Sequence, residues 1–166
     1  PVLTGSCDTL LSARAVAVSG NLAFVADGDS GLQVIDVTDP TSPVVAGNYD
    51  TPGDAWAVAI SGDLAFVADQ SAGLQVIDVT DPTNPTLIGS VDTPDNSSGV
   101  AVSGDLAFVT DNHSGLQVVD ISDPANPAII GSYDTSLRAV SVAVSGDLAF
   151  VAEQESGLLV LDISDP

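Results

Sequence analysis

The sequence predicts an all-β fold: a β-propeller built from four-stranded antiparallel blades of a 42-residue repeat, with four repeats present. Three observations carry this. The phrase "GLQVIDVTDP" starts at Gly31 and again at Gly73, and returns as "GLQVVDISDP" from Gly115 and "GLLVLDISDP" from Gly157. The closing prolines (Pro40, Pro82, Pro124, Pro166) and the turn glycines Gly20, Gly62, Gly104 and Gly146 keep the same 42-residue interval without insertion. Between them lie short runs rich in Val, Ile and Phe, punctuated by Gly, Pro, Asn and Asp, and no segment carries a helical period.

Each element of the period has a local reason. "AVAVSG" (Ala15–Gly20) is small and β-branched and turns at Ser19-Gly20-Asn21. "LAFVAD" (Leu22–Asp27) follows, and the polar loop "GDS" leads into "GLQVIDVTD" (Gly31–Asp39). Asp39-Pro40, with Pro43 behind it, forces the next turn, and "VVAGNYDT" (Val44–Thr51) is the fourth run. A β-solenoid is the rival for such a period. The turns fall at hairpin spacing, however, and no Asn ladder or hexapeptide rhythm appears.

The phase of the repeat matters. Pro1 aligns with Pro43, Pro85 and Pro127, so residues 2–9 read as a fourth-type strand preceding repeat strands at 15–51, 57–93, 99–135 and 141–166, all in one repeat domain spanning 1–166. The last repeat has a third strand without its fourth. Four outcomes are open: the N-terminal strand closes its own ring, two chains pair into an eight-bladed ring, the strand joins a filament by donation, or these residues are an excerpt from a ring with more blades. The start at Pro1, without initiator Met, signal peptide or tag, reads as a piece of a longer or processed chain.

Composition bounds the function. Hydrophobic residues make up 45% and mean hydropathy is +0.36, enough for a real core. No apolar run approaches the roughly 18 residues of a membrane span. Net charge is −21, but 19 of the 23 acidic residues sit at repeat-locked positions, so acidity is mostly one motif multiplied. Two arginines and no lysine exclude nucleic-acid binding and disfavour anionic membranes. The single cysteine, Cys7, aligns with Tyr49, Val91 and Tyr133 and is expected to pack as a small hydrophobe.

"LQVIDVTDP", preceded by "LAFVAD" and followed by "P-x-x-x-G-x-Y-D-T", resembles the LVIVD repeat over essentially the whole chain. The resemblance implies a β-propeller of cell-surface or secreted proteins, with no catalytic residues. Leu158-Leu159 departs slightly from the Leu-Gln of the other copies.

Comparison among the copies predicts where recognition sits. In an up-and-down blade, the first-to-second and third-to-fourth turns share one face, and the remaining loops share the other. The former barely vary ("SGN", "SGD"; "DPTSP", "DPTNP", "DPANP"). The latter do: "DGDSG", "DQSAG", "DNHSG", "EQESG", and "DTLLSARA", "DTPGDAWA", "DTPDNSSG", "DTSLRAVS". The binding-face candidates are the chain's rare residues in those loops: Arg14, Trp56, His113 and Arg138. Packing over the end of the channel is the alternative role for Trp56. Asp27, Asp29, Asp69, Asp111, Glu153 and Glu155 are the calcium candidates, with plain solvated carboxylates as the alternative. Asn96 and Asn112 head two glycosylation sequons. Asp36, Asp78, Asp120 and Asp162 are expected mid-strand, tying neighbouring strands by hydrogen bonds rather than forming a ring of ligands.

The expected function is a non-enzymatic extracellular or cell-surface module that binds protein, glycan or copies of itself. A structural subunit of a filament or lattice is the second reading. A propeller hydrolase is the third, poorly served by one His, no Lys and no G-x-S-x-G or HExxH. No cofactor is expected apart from the calcium considered above.

Overall fold

A computed structural model describes residues 1–9, 11–135 and 137–165. The chain is all-β, in four antiparallel sheets that follow the four repeats. The first contains β1 (Ala15–Ser19), β2 (Leu22–Ala26), β3 (Leu32–Asp36) and β4 (Val44–Tyr49). The second contains β5 (Ala57–Ser61), β6 (Leu64–Ala68), β7 (Leu74–Asp78) and β8 (Thr86–Val91), and the third β9 (Gly99–Ser103), β10 (Leu106–Thr110), β11 (Leu116–Asp120) and β12 (Ala128–Tyr133). The fourth is three-stranded: β13 (Ala139–Ser145), β14 (Leu148–Glu153) and β15 (Gly157–Asp162).

Registers repeat with the sequence. Phe24 faces Ala17 and Val34, Phe66 faces Ala59 and Val76, and Phe108 faces Ala101 and Val118. In each full sheet the outermost pairing slips by one residue, between Val34 and Ile35 in the first, which bulges Ala46 and adds twist to the edge strand. Gly20, Gly62, Gly104 and Gly146 turn the first hairpins at φ near 57–58°. There glycine avoids the steric cost of the left-handed region.

The two middle strands of each four-stranded sheet are buried on both faces, which explains their near-continuous apolar runs. One face packs forward onto the next sheet and the other backward onto the preceding one. Phe24, Leu32 and Val34 meet Val58, Ala65, Val67 and Ile77 of the second sheet. Phe66, Leu74 and Val76 meet Ala107, Val109 and Val119, and Phe108, Leu116 and Val118 meet Val142, Ala149 and Val151. The same interface is thus built three times, each large side chain contributing about 1.5–3 kcal/mol of burial. The first strands of successive sheets also lie side by side.

Two sequence expectations need correction. Residues 2–9 form no strand, because among the described residues no third strand lies beside them to pair with. They drape instead over the backward face of the first sheet, where half-buried Cys7 packs with Ala23, Val25 and Ile35. The aspartates at the ends of β3, β7, β11 and β15 do not tie strands together. Asp36 accepts the Thr38 backbone N–H at 2.8 Å, and Asp78, Asp120 and Asp162 do the same for Thr80, Ser122 and Ser164. Each carboxylate closes its own turn, and those local bonds hold all four below the usual carboxylate range.

Candidate functional site: the variable rim

The two variable loop families meet on one rim. The β2–β3 loop of each full sheet bridges to the linker entering the next sheet, pairing Gly28 with Ala55, Gln70 with Ser97 and Asn112 with Ala139. The bridging residue has positive φ each time: 60° at Gly28, 48° at Gln70 and 42° at Asn112. The loop is held from below by a residue the sequence reading passed over. Buried Gln33, Gln75 and Gln117 each donate a side-chain N–H to a loop carbonyl, of Ser30, Ala72 and Ser114. Leu159 cannot do this, and the fourth sheet instead makes a tighter hairpin paired through Glu153 and Gly157.

The carboxylates considered for calcium are committed elsewhere. Asp27, Asp69 and Asp111 are fully buried at the end of each second strand. Asp69 accepts the Thr51 hydroxyl at 2.6 Å on one oxygen and the Gly53 N–H at 2.8 Å on the other. Asp111 does so with Thr93 and Asp95, and Asp27 with Thr9 and Leu11. Glu153 accepts the Leu137 N–H. These are clamps between successive units, joining the Asp-Thr that ends one fourth strand to the sheet that follows. Burial pushes the Asp69 and Asp111 carboxyls up, against the lowering effect of their hydrogen bonds. Asp29 and Glu155 are exposed, and no cluster of three or more metal-ligating side chains occurs among the described residues.

The rare side chains fall into two groups. Where the first and second sheets meet, the Arg14 guanidinium lies 4.6 Å from the centre of the Trp56 ring. The indole N–H donates to Asp54 Oδ2 at 2.9 Å, and Arg14 reaches the same oxygen at 3.5 Å. Asp54 Oδ1 is buried without a donor among the described residues. Where the third and fourth sheets meet, exposed His113 places Nδ1 3.3 Å from Asp95 Oδ2, and Arg138 Nε donates to Asn112 Oδ1 at 2.8 Å. His113, Leu137, Arg138, Gln154 and Glu155 line a cleft of about 290 Å³. Asp54 and Asp95 were not legible as partners in the sequence. The available signal was that both are acids outside the repeat-locked positions.

The two sequon asparagines are differently placed. Asn96 is half-buried and donates to Asp95, whereas Asn112 is 5% exposed and held by Arg138. A glycan on Asn112 is incompatible with that packing.

The LVIVD repeat matches residues 12–51, 52–93, 95–135 and 138–166. The chain belongs to the LVIVD repeat family. Its repeats therefore coincide with the four sheets, each match taking in one sheet and the linker that leads into it. No curated protein sequence matches. Among solved structures, the computationally designed protein Ika4 is similar at a TM-score of 0.80, with 11% identity over 98% of both chains. The computationally designed Ika8 is similar at a TM-score of 0.75, with 12% identity over 92% of this chain and 46% of that one. At such identity the likeness concerns the fold alone.

Proposed function

We propose that the four LVIVD sheets are blades of a β-propeller whose variable rim is a binding surface, in a non-enzymatic module working outside the cell or at its surface. The observation that supports this most is the convergence of the two variable loop families through the Gly28–Ala55, Gln70–Ser97 and Asn112–Ala139 bridges. Sequence diversity is thereby mounted on uniform, rigid strands, as recognition surfaces are. The residues gathered there, an Arg–Trp–Asp stack and an Arg beside a His–Asp pair, offer aromatic and charge-assisted contacts to protein or glycan.

The test is a screen of the wild-type chain against an oligosaccharide array and a panel of surface proteins, repeated with Trp56→Ala, Arg138→Ala and, on the opposite rim, Asp63→Asn. The reading expects one class of ligand whose binding falls about tenfold with either rim variant and is untouched by Asp63→Asn. Equal loss from Asp63→Asn, or hydrolysis of a bound ligand, would discard it.

A further inference from the structure

We propose that the rim cleft between the third and fourth sheets binds a sugar carrying a carboxylate, which Arg138 grips through the two amino groups of its guanidinium. This rests on the reading of the rim as a binding surface and names the ligand class for one part of it. The observation behind it is an arginine without an ion pair in a chain of 23 acidic residues and two basic ones.

The two arginines are used differently. Arg14 reaches Asp54 at 3.5 Å and stacks on Trp56. Arg138 pairs with no carboxylate among the described residues, although Glu155 lines the same cleft of about 290 Å³. Opposite charges thus stand on its walls without meeting, which leaves the space between them to a ligand.

Arg138 is nonetheless held in place. Its Nε donates to Asn112 Oδ1, a neutral acceptor, at 2.8 Å. Asn112 is 5% exposed, and its backbone is bridged to Ala139 at a φ of 42°. With Nε committed, the two Nη groups form a planar fork without a partner among the described residues. A carboxylate matches such a fork with two parallel N–H···O bonds.

The pair is particular to this junction. At the two earlier junctions the counterparts of Arg138 are Asp54 and Asn96, and those of Asn112 are Gly28 and Gln70. The repeat brings these positions together even without such a bond: a Cβ at Gly28 would lie 3.1 Å from Asp54 Oδ1. The scaffold therefore does not require a guanidinium and its amide holder there.

The other walls of the cleft offer acceptors. His113 Nδ1 lies 3.3 Å from Asp95 Oδ2, which leaves Nε2 to accept from a ligand hydroxyl, or to donate once protonated. Gln154 and Glu155 come from the β14–β15 loop. Separate acceptors around one cation suit a ring of hydroxyls bearing one carboxylate. An acidic peptide would bring further charges against Asp95, Glu155 and a net charge of −21. The volume sits at the lower edge of the roughly 300–1,000 Å³ of small-molecule sites, room for a single sugar ring. The mouth of the cleft is set by the repeat. Asp29, Ser71 and His113, each one residue past its bridge, are all exposed although another sheet follows each of them.

The probes are methyl glycosides of glucuronate and galacturonate, with those of glucose and galactose as neutral counterparts. Each is titrated into the 166-residue chain with amide chemical shifts as the readout. At least one uronide is expected to bind about tenfold or more tightly than its neutral counterpart. Arg138→Gln should abolish that preference and Arg138→Lys should keep part of it. Asn112→Gly copies Gly28 of the first sheet, so it should keep the fold while lowering the preference about threefold by unpinning the guanidinium. Equal binding of charged and neutral sugars, or a preference untouched by Arg138→Gln, would overturn the carboxylate site. Displacement of the uronide by inorganic sulfate at equal concentration would overturn it in favour of a general oxyanion site. Tighter binding of free alanine would overturn it in favour of an amino acid. Failure of both uronides to bind would also overturn it. A rim ligand still lost in Trp56→Ala would then leave the broader reading standing, and the absence of any such ligand would end both.

Discussion

The Thr51 hydroxyl donates to Asp69 Oδ1 at 2.6 Å, joining the end of the first sheet to the interior of the second. The bond recurs at Thr93–Asp111 and Thr9–Asp27 with 42-residue spacing, so it belongs to the repeat itself. Asp69→Ala leaves the Thr51 hydroxyl and the Gly53 N–H without an acceptor. At about 1–3 kcal/mol for each of the two orphans, the expected loss is about 2–6 kcal/mol. Urea unfolding of Asp69→Ala, Thr51→Val and the double variant measures it. A coupling below about 0.5 kcal/mol would show that the two residues do not act as a pair.

Acid should affect the buried and the turn aspartates in opposite senses. Burial lifts the Asp69 carboxyl above the 3.8 of a free Asp side chain, so the folded state binds more protons than the unfolded one just above that value. Its contribution to stability is complete below 3.8 and is lost as pH rises through the folded value. Asp36 is held low by Thr38, so its contribution is present above 3.8 and lost as pH falls through its lower folded value. Relative to Asp69→Asn, the wild type should therefore gain stability as pH drops from about 7 to 4. Relative to Asp36→Asn, it should lose stability below about 4. Denaturant titrations at these pH values check both signs.

The third sheet carries a compensated exception to the repeat. Thr110 stands where the first two sheets have Ala26 and Ala68, and Gly99 stands where the second has Ala57. A Cβ at Gly99 would lie 2.6 Å from Thr110 Oγ1, so the smaller residue makes room for the larger. Gly99→Ala alone should cost about 1–3 kcal/mol through overpacking. In a Thr110→Ala background the cost should shrink by at least half. Thermal unfolding of the four proteins in that cycle decides it, and additive effects would refute the compensation.

Arg14 stacks on Trp56 across the first and second sheets at a half-exposed site. Arg14→Ala should cost only about 0.5–1 kcal/mol. Asp54→Ala frees the indole N–H, and because Trp56 is the only tryptophan, its emission should shift to the red. Unchanged emission in Asp54→Ala would show that the indole's surroundings do not depend on that bond.

The strands, their order and the uniform turns were legible in the sequence, as was the rim where the variable loops gather. Gly20 and its counterparts, the Asp-Pro turns and the alternation of short apolar runs are local signals, and hydrogen bonding along neighbouring strands turns them directly into sheets. The partners of Asp27, Asp69 and Asp111 were not legible in the same way. Their hydroxyl donors lie 18 residues earlier on a different sheet, so an acid that reads as a loop ligand becomes an interior clamp only when sheets stack. Gln33 was hidden for the same reason: its place in an apolar run makes sense only once the loop carbonyl of Ser30 folds over it. Sequence by itself determined that this chain is a fourfold repeat of sheets with one variable edge. Tertiary structure decided where each carboxylate points, and that residues 2–9 lie on the first sheet instead of pairing as a strand. A strand needs a neighbour's backbone to exist, and no periodicity in the chain supplies one.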